Sequence, residues 1–482
     1  MCCSLCCGEA TGAELTSVAR QVWAPSPPPA AKKAAAPKKK PAKAAGATAK
    51  PKAAKKAPAA AAKKPVKKRK KKDSDEEDDD DDDEYDMLDD SDHNMADDSN
   101  DNRSIEQIYQ KKTQLEHILL RPDTYVGSIE PVTQMMWVFD DESKKMEQRK
   151  ITFVPGLYKI FDEIIVNASD NKQRDKSMDT LRVTIDVAKG EISVWNNGKG
   201  IPVALHKEHG VYVPELIFGH LLTGSNFDDN KKKTVGGRNG YGAKLANIFS
   251  KQFIVETADA STKQRYKQVF EDNMSTKNQP VITPWSKKDF TCITFRPDLE
   301  RFKMSSLDED IVALFKKRVY DVAGVTDKSL NVYLNDEKVS IKSFPDYVQL
   351  YKPSSSVAEG GEGNDSPVIF DKPDGRWHVG VGLSDDGFQQ ISFVNGICTT
   401  KGGQHVNYIA DQVVSKLVAV VKKRNKGEAV KPNYVKNQMT VYVSALIDNP
   451  AFDSQVCRAQ QTREVPISNC IGHGWIYRQK KR

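Results

Sequence analysis

Hydrophobic residues are distributed along the chain in two regimes. Before about residue 104 no periodic apolar pattern exists, and ordered patterning begins near Ile105. Ile108–Leu120 mixes apolar and polar positions and is broken at Arg121-Pro122-Asp123. Leu157, Ile160, Phe161, Ile164, Ile165 and Ala168 then follow the i, i+3, i+4, i+7, i+8 spacing, which predicts an amphipathic helix over Leu157–Ser169. Val183-Thr-Ile-Asp-Val187 and Ile192-Ser-Val-Trp195 alternate and predict paired strands, with a turn at Asn196–Gly200. Helical pieces around a glycine-rich loop are expected between Val211 and Phe249. Further strands are expected at Phe253–Thr257, Thr291–Phe295 and Val332–Leu334. A second alternating block starts near Trp377, with a strand at Gln390–Val394 and a helix from His405 to Lys423. Strands and helices in mixed order, without internal repeats, predict an α+β fold.

Composition changes the picture most at the N-terminus. Ala24–Val66 is built from Ala, Lys and Pro and runs into Lys67-Lys68-Arg69-Lys70-Lys71-Lys72. Asp73 to Asp101 is mostly Asp, Glu, Ser and Asn. Neither block can bury enough apolar surface to offset chain entropy, so residues 1–104 are expected to be a disordered tail. The basic run fits a nuclear import signal or a phosphate-binding arm, and equally a solvated, solubilising tail. The net charge of +7, from 73 basic and 66 acidic residues, is therefore a difference between opposing blocks. Four of the eight cysteines (Cys2, Cys3, Cys6, Cys7) crowd the first ten residues, which is no disulfide framework and points to a reducing compartment. No apolar run is long enough to span a bilayer, so a soluble intracellular protein without a membrane partner is expected.

Three constellations carry candidate chemistry. In Glu163-Ile-Ile-Val-Asn167-Ala-Ser-Asp170, the three polar residues stand at i, i+4 and i+7 and share one side of the predicted helix. A carboxylate one turn from a carboxamide can take a proton from water while the amide oxygen meets Mg²⁺, although an ordinary polar helix face has the same pattern. Trp195-Asn196-Asn197-Gly198-Lys199-Gly200-Ile201-Pro202 is a glycine turn after a strand, with an Asn able to read a base edge or merely to cap a turn. Gly236-Gly237-Arg238-Asn239-Gly240-Tyr241-Gly242-Ala243-Lys244 enters a helix-like stretch, where bare backbone N–H groups and a lysine can hold phosphates. It matches neither the P-loop nor the dinucleotide fingerprint.

In this order and spacing the three elements resemble the signature boxes of the gyrase, chaperone, histidine-kinase and MutL (GHKL) ATPase superfamily. Within it the chain resembles the eukaryotic type IIA DNA topoisomerase family, in its N-terminal ATPase and transducer region. The resemblance rests on Ile108–Tyr125, Phe153–Glu163, Asn196–Pro202, Gly236–Lys244 and Phe388–Asn395, and covers about residue 105 to Gln455. It implies a GHKL (Bergerat) α/β sandwich over 105–341 and a transducer domain over 342–455. By resemblance, Glu163 is the general base, Asn167 the Mg²⁺ ligand, and Asn196 the reader of adenine with Thr291 beside it. Ser225 and Asn226 match ribose and phosphate contacts, and Gly224 stands where the family has a Ser. Gly237, Arg238, Asn239, Gly240, Tyr241, Gly242, Ala243 and Lys244 match the phosphate cradle. Tyr109 matches a strap residue that reaches the partner subunit's nucleotide. Lys422, Lys423 and Arg424 match a loop facing double-stranded DNA. The resemblance thus implies ATP and Mg²⁺ as ligands and a homodimer, or a heterodimer with a full-length topoisomerase, in the nucleus.

The pattern departs from the family after Gln455, which itself matches the start of a Gln-Thr-Lys trio facing the γ-phosphate. Val456-Cys457-Arg458-Ala459 follows instead, and 456–482 is expected to be an unstructured non-family tail. Because Val codons begin with the letters that open an intron, a retained intron or gene-model error is one account of this ending. Gln461-Thr462-Arg463 resembles the trio but stands several residues late. No segment resembling the family's metal-binding acidic domain or its nucleophilic Tyr domain is found, so this chain alone is expected to gate by ATP without cutting DNA. The alternative expectation is an ATP-binding fragment with impaired turnover that regulates the full enzyme.

Overall fold

Threonine and glutamate three residues apart open the ordered chain. In the computed structural model Glu116 N–H donates to Thr113 Oγ1 (3.2 Å) and Thr113 N–H to Glu116 Oε2 (2.8 Å), a capping box that starts helix α1 at Gln114–Leu120. The structure describes residue 105 and residues 109–224, 233–237, 240–352, 367–384, 386–424, 430–453 and 456–457. All of these belong to one compact unit, Ser99–Arg482. The expected tails, apart from Val456–Cys457, and the expected site residues Ser225, Asn226, Arg238, Asn239 and Gln455 lie outside the described residues.

A short helix α2 (Asp123–Val126) follows, then an antiparallel hairpin of β1 (Val132–Asp140) and β2 (Lys145–Phe153). Pro155 begins helix α3 (Pro155–Arg174), since its fixed φ suits the first helical position and its missing N–H costs nothing there. The expected apolar stripe is its buried face, with Leu157, Ile160, Phe161 and Ile165 fully enclosed. The helix outruns the predicted Ser169 end because its last turn buries polar groups. The Lys172 ammonium donates to the carbonyls of Lys176 (2.8 Å) and Met178 (2.6 Å), partners no hydrophobic pattern reveals.

The expected strand pair is β3 (Thr180–Asp186) and β4 (Glu191–Asn197), antiparallel with Leu181 opposite Asn196. Helices α4 (Val213–Gly219) and α5 (Gly242–Ile248) come next, then β5 (Ser250–Asp259), β6 (Gln264–Glu271), β7 (Thr276–Lys277), β8 (Val281–Pro284) and β9 (Phe290–Pro297). Helix α6 (Glu309–Val325), capped by the Asp308 carboxylate, leads to β10 (Asn331–Leu334) and β11 (Glu337–Lys338). Among the described residues these strands form one sheet in the order β11-β10-β3-β4-β9-β5-β6-β7, with β8 on β6. Helices α3 and α6 pack together over this sheet, and Phe161 meets Phe315 at 4.3 Å between ring centres. This is the expected α/β sandwich.

The second block opens with α7 (Phe344–Gln349) and continues through β12 (Ile369–Asp371), β13 (Trp377–Leu383), β14 (Gln389–Val394) and β15 (Ile397–Cys398). Helix α8 (Gln404–Arg424) and the short α9 (Pro432–Lys436) precede β16 (Met439–Ala445). The sheet order is β12-β13-β16-β14-β15, and β14 runs parallel to β16 through the α8 crossover. Its core is a separate cluster around Val379, Ile409, Val413, Leu417 and Val441. At the end, β17 (Phe452–Asp453) pairs antiparallel with β18 (Val456–Cys457).

Buried polar contacts join the blocks. Arg318 of α6 is fully enclosed, donating from Nε to Asp162 Oδ1 of α3 (2.6 Å) and from its terminal nitrogen to the Gly396 carbonyl (2.6 Å) in the β14–β15 turn. Beside it, the Asn395 carboxamide donates to the carbonyls of Ile447 (2.9 Å) and Val235 (3.4 Å).

Candidate nucleotide site

The polar face of α3 meets the glycine loop directly. The Asp170 carboxylate, almost wholly buried, accepts the Gly236 N–H at one oxygen (2.9 Å) and the Gly237 N–H at the other (3.0 Å). Burial pushes this carboxyl up to about 6, and the two backbone N–H donors pull the other way without cancelling it. One turn back, the Asn167 amide oxygen stands 3.3 Å from where a Cβ on Gly237 would be. One further turn back, Glu163 reaches the N-terminus of α5. A Cβ on Gly242 would lie 1.8 Å from Glu163 Oε2, so the carboxylate occupies the space a side chain would fill. The other carboxylate oxygen is held by Lys159 Nζ at 2.6 Å. Burial works against the Lys159 charge, but Glu163 and Asp162 outweigh it and hold the ammonium above its ordinary range.

Lys244 closes the cradle from within α5. It is 3% exposed, and its ammonium donates to the Thr223 carbonyl at 2.5 Å. Burial alone lowers it to about 8. Among the described residues this carbonyl is the hydrogen-bond partner of an ammonium that carries three donors.

The other end of the site is built by strands. Asn196 on β4 pairs with Thr291 on β9 and is 4% exposed, with its amide donating to the Asn197 carbonyl at 2.9 Å. Thr291 Oγ1 lies 3.1 Å from Thr257 Oγ1, and Thr257 in turn accepts the Ile201 N–H at 3.1 Å. Asparagine and hydroxyls clustered at a sheet end supply the donors and acceptors that a base edge requires. Gly200 fits because its backbone touches β5; a Cβ there would stand 2.1 Å from the Ala258 carbonyl oxygen. Asn171 ties this segment to α3, donating to the Lys199 carbonyl at 3.4 Å.

The structure therefore gathers Glu163, Asn167, Gly237, Gly242 and Lys244 at one end, with Asn196 and Thr291 on the adjoining strand ends. Gly240 has φ +69°, and Tyr241 touches the N-terminal segment through Gln114 (3.3 Å) and the Tyr125 ring. Tyr109 points into solvent at 80% exposure, apart from this site, and Gly224 is exposed. Lys422 and Lys423 are exposed at the end of α8, and Arg424 ends that helix. Sequence reasoning placed Asp170 on the right face without a role and passed over Lys159, Thr257 and Asn395. The Lys159–Glu163 spacing of four was a visible signal for an ion pair.

Residues 154–301 match the family model described as histidine kinase-, DNA gyrase B- and HSP90-like ATPase, and residues 333–466 match that of DNA gyrase B. The ATPase region of Saccharomyces cerevisiae topoisomerase II superposes with a TM-score of 0.71 at 46% identity, covering 78% of this chain and 97% of that one. The chain belongs to the DNA topoisomerase II family. The ATPase and transducer domains of the family member from Balamuthia mandrillaris give a TM-score of 0.69 at 44% identity, covering 79% of this chain and all of theirs. Among full-length topoisomerase II relatives, DNA topoisomerase 2 of Arabidopsis thaliana is 57% identical over 73% of this chain and 24% of its own length. DNA topoisomerase 2-alpha of Mus musculus is 60% identical over 73% of this chain and 23% of its own. The chain thus spans about a quarter of the curated topoisomerase II relatives it matches. It carries their GHKL ATP-binding domain and transducer fold, as the sequence led us to expect.

Proposed function

We propose that the chain is the ATP-hydrolysing gate of a DNA topoisomerase, with Glu163 as general base. The observation that carries this reading is the approach of the Glu163 carboxylate to Gly242, where the glycine loop enters α5, the helix that carries Lys244. Glu163 takes the proton of the attacking water, and Lys159 anchors the other carboxylate oxygen at 2.6 Å. Asp170 presents Gly236 and Gly237 in a fixed arc, and Lys244 answers charge on the transferring phosphoryl group. Asn196, Thr291 and Thr257 receive the adenine edge. The Asn167 amide oxygen is a hard donor beside the cradle and fits Mg²⁺, which when bound neutralises charge on the phosphate oxygens.

The partners follow from surface chemistry and family membership. Lys422, Lys423 and Arg424 supply sequence-independent attraction to double-stranded DNA. Tyr109, exposed here, reaches the nucleotide of a second subunit in a homodimer or in a heterodimer with a longer topoisomerase chain. The Lys67–Lys72 run directs the protein to the nucleus. The test is phosphate release by purified chain with and without DNA. Glu163→Gln is expected to lower turnover about 10²- to 10⁴-fold while ATP binding persists. Unchanged turnover removes Glu163 from the mechanism. ATP binding without turnover in the unsubstituted chain leaves the regulatory, non-hydrolysing reading in its place.

A further inference from the structure

The loop between the base-reading segment and α4 carries a ligand set that the nucleotide site does not use. His206, Glu208 and His209 bring two imidazoles and a carboxylate together, with one ligand atom from each within 4.8 Å of the others. The two rings stack at 4.8 Å between centroids. His206 Nδ1 is buried and has no hydrogen-bond partner among the described residues, an orphaned acceptor or donor that ordinarily costs stability. The loop holding them is closed by main-chain bonds: His206 N–H donates to the Val211 carbonyl and Gly210 N–H to the His206 carbonyl, both at 2.8 Å. Its three ligands therefore hang from a fixed frame.

We propose that His206, Glu208 and His209 bind one divalent ion of the zinc class. Two imidazole nitrogens and one carboxylate oxygen are the donors such ions select, whereas Mg²⁺ and Ca²⁺ select oxygen alone. Ligand bonds of about 2.0–2.2 Å keep any two ligand atoms within about 4.4 Å, so the set closes when the two imidazoles turn out of their stack and aim their in-plane nitrogens at one ion. Three protein ligands leave a position for water. A bound ion cross-braces the loop that precedes α4, and the segment after α4 holds Lys244 through the Thr223 carbonyl.

The experiment uses the full chain with Cys2, Cys3, Cys6 and Cys7 replaced by Ser, which removes competing thiolates, in buffer free of nucleotide and Mg²⁺. Zn²⁺ is titrated against a chromophoric chelator, and Co²⁺ is added separately to read the ligand field. About one equivalent of Zn²⁺ is expected to bind, Co²⁺ to show a nitrogen–oxygen ligand field, and Tm to rise with Zn²⁺. His206→Gln combined with His209→Gln should lose the bound equivalent and the Tm rise. Binding of a fluorescent ATP analogue should stay unchanged, which shows that the fold is intact. No bound equivalent in the parent, or the same equivalent in the double variant, overturns the proposal without touching the nucleotide site.

Discussion

Single atoms decide the geometry where α3 meets the glycine loop. Gly242 lies so close to Glu163 that Gly242→Ala must displace the carboxylate. We expect the fold and most ATP affinity to persist while turnover drops about a hundredfold or more, as measured by phosphate release. Gly200→Ala differs because its Cβ would strike backbone at the Ala258 carbonyl rather than a flexible side chain. It should destabilise the protein by about 3 kcal/mol, read by denaturant unfolding. The charges predict a bell-shaped pH dependence of ATP affinity. Asp170 titrates near 6, above its ordinary 3.8, so protonation as pH falls through about 6 takes an acceptor from Gly236 or Gly237. Its contribution to folding stability has the opposite sense: greatest below about 3.8 and lost as pH rises through about 6. Lys244 titrates near 8, so the cradle loses its cation as pH rises through that value. Asp170→Asn should flatten the acid limb and Lys244→Arg the alkaline one, since arginine keeps its charge. Affinity that is level from pH 5 to 9 in the unsubstituted chain would sink this account.

At the scale of elements, helix α3 and the turn between β14 and β15 hold the site from two sides. Asn395 has φ +51° and is buried, and its side chain bonds the main chain at Ile447 and at Val235, just before the glycine loop. Asn395→Ala leaves those buried groups unpaired, which should cost about 2–3 kcal/mol by thermal unfolding and weaken ATP binding. Elements with a clean apolar period were legible in the sequence. Helix α3, the β3–β4 pair and helix α8 fall where the pattern put them, with ends shifted by a few residues. Helix α6 escaped because its buried face includes Lys317, Arg318 and Asp321, which read as solvent-facing. The β1–β2 hairpin escaped because the first four residues of β1 are exposed and its burial does not alternate.

For the molecule as a whole, two cores and a charged seam set the architecture. The seam pairs Arg318 with Asp162 and ties it to the Gly396 carbonyl, so the second block rests on the helix that carries Glu163. Lys422 and Lys423 lie exposed at the far end of α8 in that second block. Replacing both by Glu should weaken binding to duplex DNA of any sequence and reduce the salt slope by about two units in log–log titration. An unchanged slope would take these lysines off the DNA path.

The sequence by itself determined what local interactions encode. That includes the two faces of α3, the paired strands beside it, the glycine-rich segments whose backbones must stay bare, and the family they spell. Tertiary structure alone decided which distant groups meet. Glu163 arrives at Gly242, Asp170 closes on Gly236 and Gly237, and Asn395 reaches Val235 because sheet register and helix packing bring them there. The same packing makes Arg318, Lys172 and Lys244 interior residues. Burying a charge is tolerable only when partners arrive from elsewhere in the chain, and no window of sequence contains those partners.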